Sequence, residues 1–255
     1  IIGAGASPVG VGSDIGGSVR FPAAFCGICS IKPTMGRTPD LTRYGAERLS
    51  GPIGSVTGVL ANHAEDLDLF LQILNGRAAD LFDAPPIGDY RSVDVSKLRI
   101  GYFPSDGIFE PMEAVKRGVR ESVEKLRTLG AEVVEFEPPS PRRAEEIFMR
   151  IMAIDEARLF TSVLEDEKPL PQLTDMFRLA QTSAGKRALI GKIARILGQK
   201  NASRLIPYFG GQGSEFLRKW AANQEEYKRT WIDAMDAQKL DAVISPVCAL
   251  PAFLH

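Results

Sequence analysis

The sequence predicts an α/β fold in which helices cover a mixed, largely parallel β-sheet. Residues 97–137 carry the first observation, because a strand, an amphipathic helix and a second strand follow one another there. Such a βαβ unit places its two strands parallel in one sheet. The second observation is Asp241–Ser245, an apolar segment that returns to the sheet after a long helical stretch. A chain of 255 residues is long enough for one substantial domain with a full core, or at most for two small domains.

The strand–helix–strand unit has clear predicted boundaries. Leu98–Phe103 and Ala131–Phe136 have the apolar patterns of strands. Pro111 suits the first turn of the intervening helix, and Gly130 suits its end. A stripe of apolar side chains at helical spacing predicts the face of this helix that packs on the sheet. The stripe consists of Val115, Val119, Val123, Leu126 and Leu129.

Two further regions are predicted to be helical. Asn62 and Glu65 resemble a capping box at the start of a helix that Asn75-Gly76 closes. Residues 141–240 are predicted to be mostly helical, and the last helix among them spans about 214–238.

Residues 176–206 are distinguished by their charge. No acidic residue lies between Asp175 and Glu215, whereas seven basic residues do. This pattern predicts a basic amphipathic helix, which is typical of proteins that lie on an anionic membrane surface. The alternative is a solvated helix that packs on the protein's own core. The apolar residues at helical spacing are Leu189, Ile190, Ile193, Ile196 and Leu197.

Composition disfavours several classes of function. The chain has 31 Lys and Arg against 32 Asp and Glu, and its net charge of −1 gives no sign of nucleic-acid binding. Two histidines make His-dependent catalysis and His-rich metal sites unfavourable hypotheses. Three cysteines are too few, and odd in number, for a disulfide framework, so we expect a reducing, cytoplasmic location. The protein would be peripheral at a membrane if residues 176–206 bind one.

Both ends of the sequence resemble cuts through a longer protein. Ile1-Ile2-Gly3 has neither the basic segment nor the cleavage site of a targeting peptide. Residues 244–252 have the pattern of a buried strand and the loop that leaves it. We therefore expect a fragment that is truncated at both ends. No window of about 18 apolar residues predicts a transmembrane helix.

Residues 1–39 are rich in glycine, serine and proline, which predicts a loop-dominated region where backbone approaches backbone or a ligand. Phosphate binding is disfavoured, because the glycines match neither a dinucleotide fingerprint nor a P-loop. A metal or redox site at Cys26 and Cys29 is also disfavoured, because a single C-x-x-C has no partner pair; two buried small residues explain it better. The remaining hypothesis is a serine nucleophile, Ser18.

Ser18 follows two glycines, and the amides of residues 15–17 lie just before it. Glycines let such amides converge on an oxyanion. Arg20 breaks the G-x-S-x-G pattern, which excludes the α/β-hydrolase elbow. His63 lies at a predicted helix start, so we expect the base that activates Ser18 to be a neutral lysine rather than a histidine.

The stretch from Gly12 to Thr34 reads GSDIGGSVRFPAAFCGICSIKPT. It resembles the second half of the amidase signature, and within that family the fatty acid amide hydrolase branch. The resemblance implies the amidase signature fold for most of the chain. Beyond this stretch the likeness includes Gly51-Pro52-Ile53, the helix that reaches Leu74, Leu98–Phe103 and Asp241–Pro246.

The resemblance also implies a Ser–cis-Ser–Lys triad, with Ser18 as its nucleophile. In the family the relay serine lies on a Gly-Ser-Ser-Gly-Gly stretch before the nucleophile loop, and the lysine lies earlier still; this sequence contains neither. Lys32 belongs to a Lys-Pro-Thr motif, and the resemblance does not make it the base. By position, the oxyanion hole of the family is matched by Ile15, Gly16 and Gly17 together with the Ser18 amide. A charged pair that supports the loop is matched by Asp14 and Arg20, and a position near the substrate is matched by Ser13.

The implied activity is hydrolysis of the C–N bond of an amide, hydrophobic or derived from a fatty acid, with neither metal nor organic cofactor. The implied partners are a small-molecule amide and a membrane surface contacted by residues 176–206, without nucleic acid; a homodimer is a further option. The alternatives are a broad-specificity small-amide amidase, an amidotransferase A-type subunit, and a catalytically inactive scaffold.

The chain is expected to form one domain fragment with three regions. Residues 1–60 would form the nucleophile and oxyanion loop region, residues 97–137 the strand–helix–strand unit and residues 141–240 a helical cap region.

Overall fold

The structure, a computed structural model, describes residues 1–39, 52–78, 85–153, 170–211 and 213–253. Both helices and strands are present, so the predicted mixed α/β class is confirmed. The chain divides into two compact units, and the predicted division of one domain fragment into three regions stays a prediction. The first unit comprises Ile1–Arg43, Ser55–Pro139 and Ile232–His255, and the second comprises Tyr44–Gly54 and Ser140–Trp231.

An antiparallel sheet lies in the first unit. Its strands are β1 (Val9–Asp14), β2 (Cys29–Ile31) and β3 (Val56–Ala61), and β3 lies between the other two. The central position of β3 fits its sequence, because four consecutive residues, 56–59, are buried. Val59 and Ala61 form the core of this sheet together with Leu67 of the helix that follows.

The glycine-rich segment, residues 1–39, contains three regular elements between its loops. These elements are β1, the helix α1 (Arg20–Cys26) and β2, and most of the segment lies in turns and loops, as the sequence predicts. Backbones approach closely in its regular part. A Cβ on Gly58 of β3 would lie 2.6 Å from the carbonyl oxygen of Ile31 on β2. Some glycines of this region therefore allow strands to pack closely rather than interrupt them.

Helix α2 (Ala64–Ala78) differs from its prediction at both ends. The side chain of Asn62 donates from Nδ2 to the carbonyl oxygen of Ile2 at 3.0 Å, and the helix begins two residues after it. The helix also continues past Asn75 and Gly76, so these residues do not close it. Because the first helical residue is Ala64, Asn62 lies one position before the N-cap position that the predicted capping box requires.

A parallel sheet also lies in the first unit. Its strands are β4 (Arg99–Tyr102), β5 (Glu132–Glu135) and β6 (Ala242–Ile244), and β4 pairs with both of the others in parallel. Helix α3 (Glu113–Thr128) connects β4 to β5. The predicted βαβ unit and the predicted return of the chain to the sheet are therefore confirmed.

The core of the parallel sheet follows the predicted stripe of α3 along most of its length. Val119 and Val123 are buried against Ile100 and Val133 of the sheet. Leu129 is the exception, since it is half exposed after the helix has ended.

Two chain segments distant in sequence meet at the edge of the parallel sheet. The backbone N–H of Arg99 donates to the Asp241 carboxylate at 2.7 Å, and the backbone N–H of Asp241 donates to the carbonyl oxygen of Arg99 at 2.8 Å. This reciprocal pair joins the starts of β4 and β6.

The second unit is helical in its described residues, as the sequence predicts for 141–240. A tryptophan lies at its core: Trp220 is buried with Ile147 and Ile151, and the guanidinium carbons of Arg143 and Arg150 lie 5.4 and 5.5 Å from its ring centroid. The helices that lie in or begin in this unit are α4 (Pro141–Met152), α5 (Pro171–Gln181), α6 (Ala184–Ile196), α7 (Lys200–Leu205) and α8 (Gly213–Ala237).

Residues 176–206 do not form one helix, which corrects the sequence prediction. Thr182 and Ser183 adopt extended backbone between α5 and α6. Gly198 has a φ of +75° and ends the helical backbone just after α6. A left-handed glycine is a common helix terminator, because it has no side chain to oppose that conformation. Arg187 of α6 is buried and donates to the carbonyl oxygens of Ala180 and Thr182.

Candidate active site

Ser18 lies in the turn that joins β1 to α1. Its two neighbours in sequence, Gly17 and Val19, are buried, whereas Ser18 is exposed. Val19 is among the most completely buried side chains of the structure, at 1% exposure. The turn is therefore fixed on both sides of Ser18 while this serine remains accessible.

Asp14, the last residue of β1, organises this turn. Its carboxylate is fully buried, and it accepts hydrogen bonds from the backbone amides of Gly17 at 2.7 Å, Val19 at 3.2 Å and Arg20 at 3.3 Å. The same carboxylate accepts from Nε and Nη2 of Arg20. One side chain thus ties the end of the strand to the start of the helix, as the predicted supporting role of Asp14 and Arg20 requires.

The electrostatics of the pair agree with its geometry. Burial alone would raise the pKa of the Asp14 carboxyl, but hydrogen bonds from Arg20, Gly17 and Val19 outweigh burial and hold this pKa well below its usual range. The hydrogen bond to Asp14 also raises the pKa of the Arg20 guanidinium. Both groups are charged at neutral pH.

The orientation of the Ser18 amide follows from a neighbouring hydrogen bond. The carbonyl oxygen of Gly17 accepts from the backbone N–H of Phe21 at 2.8 Å. In a trans peptide the C=O and N–H of one plane point in opposite directions. The N–H of Ser18 therefore points away from the first turn of α1.

Three amides of the turn are available for an oxyanion. Within the described part of the chain, the backbone N–H groups of Ile15, Gly16 and Ser18 donate no hydrogen bond. The amide of Gly17 is held by Asp14, so the predicted contribution of Gly17 to an oxyanion hole stays a prediction. Free amides in a glycine-rich turn suit a developing negative charge.

One further residue of the signature stretch, Ser13, lies just before the turn. Ser13 is exposed on β1, in register with Thr57 of β3, and its predicted place near the substrate stays a prediction. Thr57 in turn accepts, at its carbonyl oxygen, a 2.9 Å hydrogen bond from the buried hydroxyl of Thr38. This bond anchors the segment after the Lys-Pro-Thr motif on the central strand.

Lys32 lies near the charged pair, a position that sequence reasoning does not reveal. Its side chain is partly buried, and Nζ lies 3.5 Å from the carbonyl oxygen of Pro33. Burial and the positive charge of Arg20 lower the pKa of Lys32, while the charge of Asp14 opposes the shift. Lys32 therefore lies within electrostatic reach of the Asp14–Arg20 pair.

The three cysteines are free thiols. Cys26 is exposed and Cys29 is half-buried, so the prediction that both are buried small residues is wrong for Cys26. Cys26 is the last residue of the short helix α1, which the left-handed Gly27 ends before β2 begins. In the described ranges, no cluster of three or more His, Cys, Asp or Glu side chains has the arrangement of a metal site.

Comparison with known proteins identifies the family. The family model described as Amidase matches residues 1–255. The chain belongs to the amidase family. Among curated relatives, it is 30% identical to Fatty-acid amide hydrolase 1 from Sus scrofa over 97% of the chain and 43% of that protein. It is 36% identical to the A-type subunit of Glutamyl-tRNA(Gln) amidotransferase from Fusobacterium nucleatum subsp. nucleatum, over 54% of the chain and 28% of that protein.

Solved structures support the same fold. This amidase chain superposes on a structure named Fatty acid amide hydrolase with a TM-score of 0.76 and 24% identity, covering 99% of the chain and 41% of that structure. At this identity the superposition shows the fold alone, and it confirms the predicted amidase signature fold. The chain thus spans less than half the length of each of these three relatives.

Proposed function

We propose that the intact protein is a serine amidase that hydrolyses the C–N bond of a hydrophobic or fatty acid amide through an acyl-enzyme on Ser18. The observation that carries the proposal is the turn between β1 and α1, where buried Asp14 holds the backbone and Ser18 stays exposed. A nucleophile needs this combination of a rigid backbone and an accessible hydroxyl. Membership of the amidase family supports the reaction class.

The chemistry follows from the turn. The Ser18 hydroxyl oxygen bonds to the amide carbonyl carbon, and the carbonyl electron pair moves to its oxygen. The free amides of Ile15, Gly16 and Ser18 stabilise that oxyanion, and one such donor contributes about 3 kcal/mol to transition-state stabilisation. Collapse of the intermediate breaks the C–N bond, and the amine leaves with a proton. Water then attacks the acyl-enzyme, releases the carboxylic acid and restores the Ser18 hydroxyl.

The proton of Ser18 requires a base. The amidase resemblance assigns this role to a relay serine and a lysine, and no Gly-Ser-Ser-Gly-Gly stretch that would carry the relay serine occurs in this sequence. In the structure described, no hydrogen bond joins Lys32 to Ser18, and Lys32 Nζ is directed to the carbonyl oxygen of Pro33. We therefore assign Lys32 an electrostatic role and not the role of the base.

Helix α6 favours a hydrophobic substrate over a small polar one. It buries Arg187 and Gly191, whereas its apolar side chains face solvent. This is the reverse of the usual amphipathic arrangement, in which the apolar face is buried. The exposed residues of this apolar face, with Leu197 just after the helix, are Leu189 at 58%, Ile190 at 40%, Ile193 at 48%, Ile196 at 84% and Leu197 at 72%.

The charge around the apolar face fits an anionic lipid surface. Lys186, Lys192, Arg195 and Lys200 are all exposed, and no acidic residue lies within residues 176–214. Apolar side chains with a basic rim bind such surfaces through buried area and through attraction to lipid headgroups. We therefore propose that residues 176–206 contact the membrane that holds the substrate. No helix among the described residues is both long and apolar enough to span a membrane.

A cytoplasmic location and a homodimer stay predictions.

The relatives named as amidotransferase subunits keep an amidotransferase A-type subunit open as the second candidate function, since they match just over half of the chain. The apolar face of α6 favours the hydrophobic-amide candidate, because hydrolysis of a polar amide such as glutamine gives no role to five exposed aliphatic side chains.

The experiment that tests the proposed function uses the intact protein, a fluorophosphonate probe and the variant Ser18→Ala. We expect the probe to label the wild type and Ser18→Ala to abolish both labelling and amide hydrolysis. Ser122→Ala is the matched control, because within the part of the chain that the structure describes this exposed hydroxyl bonds only to the carbonyl oxygen of Gly118 on its own helix. Labelling that persists in Ser18→Ala would refute the assignment.

A second measurement separates the two substrate classes. Turnover of a dodecanoyl amide is compared with turnover of acetamide and of glutamine at equal enzyme concentration. The proposal expects a clear preference for the long-chain amide. Equal rates on the long and short amides would overturn the hydrophobic assignment, and preferred hydrolysis of glutamine would favour the amidotransferase candidate.

A further inference from the structure

The aromatic ring of Phe21 packs against Gly17, immediately beside the serine. A Cβ on Gly17 would lie 2.8, 2.8 and 2.9 Å from Cε1, Cζ and Cε2 of Phe21. Near-equal distances to three adjacent ring atoms place this position over the face of the ring rather than beyond its edge. The φ of Gly17 is +118°, which side chains rarely adopt, so both the backbone conformation and the ring require glycine here.

Three contacts therefore hold Gly17. Its N–H donates to the Asp14 carboxylate at 2.7 Å, its carbonyl oxygen accepts from the Phe21 N–H at 2.8 Å, and the Phe21 ring covers its Cα. Without the ring, a glycine with open space around its Cα would have many backbone conformations available. The ring removes that freedom at the one residue whose carbonyl shares a peptide plane with the Ser18 amide.

We propose that Phe21 is a positioning residue for the reaction: its ring locks the Gly17–Ser18 peptide so that the Ser18 N–H stays directed at the oxyanion. This inference rests on the proposed function of Ser18. The oxyanion develops only in the transition state, so a donor that is misdirected for part of the time lowers kcat and leaves substrate binding nearly unchanged.

The position of Phe21 is consistent with this role. Phe21 is 36% exposed, so its ring lies at the surface beside the exposed Ser18. The same helix carries Phe25, whose ring meets that of Phe253 at a centroid distance of 5.6 Å and is not among the nearest neighbours of Gly17. Phe25 is therefore a matched control on the same element.

The test compares Phe21→Leu, Phe21→Tyr and Phe25→Leu in the intact protein. The measurements are kcat and KM for dodecanoyl p-nitroanilide, and the thermal midpoint of each variant. We expect Phe21→Leu to lower kcat roughly tenfold to a hundredfold, with KM changed less than about twofold, since loss of one oxyanion donor costs about 10²–10³ in kcat. Phe21→Tyr keeps the ring face and should restore kcat to near the wild-type value, and Phe25→Leu should leave kcat unchanged.

Two outcomes would overturn the inference. In the first, Phe21→Leu lowers the thermal midpoint but keeps kcat, which would make the ring a purely structural contact. In the second, KM rises with kcat unchanged, which would make the ring part of the ground-state binding surface. The proposed function is judged separately by Ser18→Ala: if that variant is inactive while Phe21→Leu keeps kcat, only the role of Phe21 is refuted.

Discussion

The Asp14 carboxylate accepts two side-chain hydrogen bonds from Arg20, from Nε at 3.0 Å and from Nη2 at 2.9 Å. A guanidinium can make this two-point contact because its N–H groups are fixed in one plane. The pair joins the last residue of β1 to the first residue of α1, with Ser18 in the turn between them. Substitution of either residue should therefore change the behaviour of Ser18 without touching its hydroxyl.

The first prediction concerns Arg20→Lys. A lysine keeps the charge but offers a single nitrogen, so the carboxylate loses the planar two-point contact. We expect labelling of Ser18 by the fluorophosphonate to slow roughly tenfold while the protein stays folded. Arg91→Lys is the control, because Arg91 is exposed and, among the described residues, its side chain pairs with its neighbours Asp89 and Tyr90 alone. An unchanged labelling rate in Arg20→Lys would mean that the positive charge alone supports the turn.

The second prediction concerns the pH dependence of stability. The pKa of the Asp14 carboxyl is lower in the folded protein than its value of about 3.9 in the unfolded chain. The ionised carboxylate therefore stabilises the fold at pH values above the unfolded pKa. This stabilisation is lost as the pH falls toward the folded pKa. Asn at position 14 does not titrate. The difference in free energy of unfolding between wild type and Asp14→Asn should be constant from pH 7 to about pH 5 and roughly 1 kcal/mol smaller at pH 3. Urea unfolding at each pH measures it. A difference that is the same at pH 7 and pH 3 would show that Asp14 titrates normally.

The third prediction uses two glycines with opposite surroundings. A Cβ on Gly101 of β4 would lie 2.7 Å from Leu240 Cδ1 and 3.0 Å from Phe136 Cβ, whereas a Cβ on Gly118 of α3 would meet nothing within 4 Å. Gly101→Ala should destabilise the protein by about 1–3 kcal/mol through overpacking. Gly118→Ala should stabilise it by up to about 1 kcal/mol, because alanine is the better helix former. Urea unfolding measures both, and destabilisation by Gly118→Ala would show that this helix face is covered.

The fourth prediction concerns the apolar face of α6. Ile193→Glu places a negative charge among the exposed aliphatic side chains, so sedimentation of the intact protein with phosphatidylglycerol-containing vesicles should fall several-fold. Ile232→Glu is the control, since Ile232 is similarly exposed, at 57%, but lies on α8. Neutral phosphatidylcholine vesicles should bind the wild type more weakly, because the basic rim then lacks its counter-charge. Equal binding of the wild type and Ile193→Glu would exclude this face as the contact.

Sequence periodicity predicts the parallel half of the fold well. Residues 97–137 contain a strand, a helix and a strand whose apolar positions, such as Val119 and Val123, have one interpretation only. The antiparallel half is not predictable in this way. Glycines have low strand propensity, and β1 exists because β3 pairs with it, which is a contact between distant parts of the chain. The side chain of Asn62 is a second example, because its amide donates to the carbonyl oxygen of Ile2, which is distant in sequence.

The candidate site, like the fold, is predictable from the sequence only in part. A run of glycines before a serine and a nearby Asp and Arg could be recognised from residue order. Residue order does not show that Asp14 engages the Gly17 amide, which leaves Ile15, Gly16 and Ser18 as the free donors of the turn. It does not show the ring of Phe21 over Gly17 either. Both facts depend on backbone torsions, and glycine allows so many that its sequence position does not fix them.

The pairing of Arg99 with Asp241 has a consequence for how the chain is made. These residues are 142 positions apart, yet β4 is the central strand of its sheet and needs β6 as a neighbour. A ribosome adds about 5–20 residues per second, so β4 waits on the order of ten seconds for its partner. During that interval one side of β4 has unpaired backbone groups, which are a template for pairing with another chain. Chaperone demand should therefore be highest during translation of the helical segment, before β6 emerges.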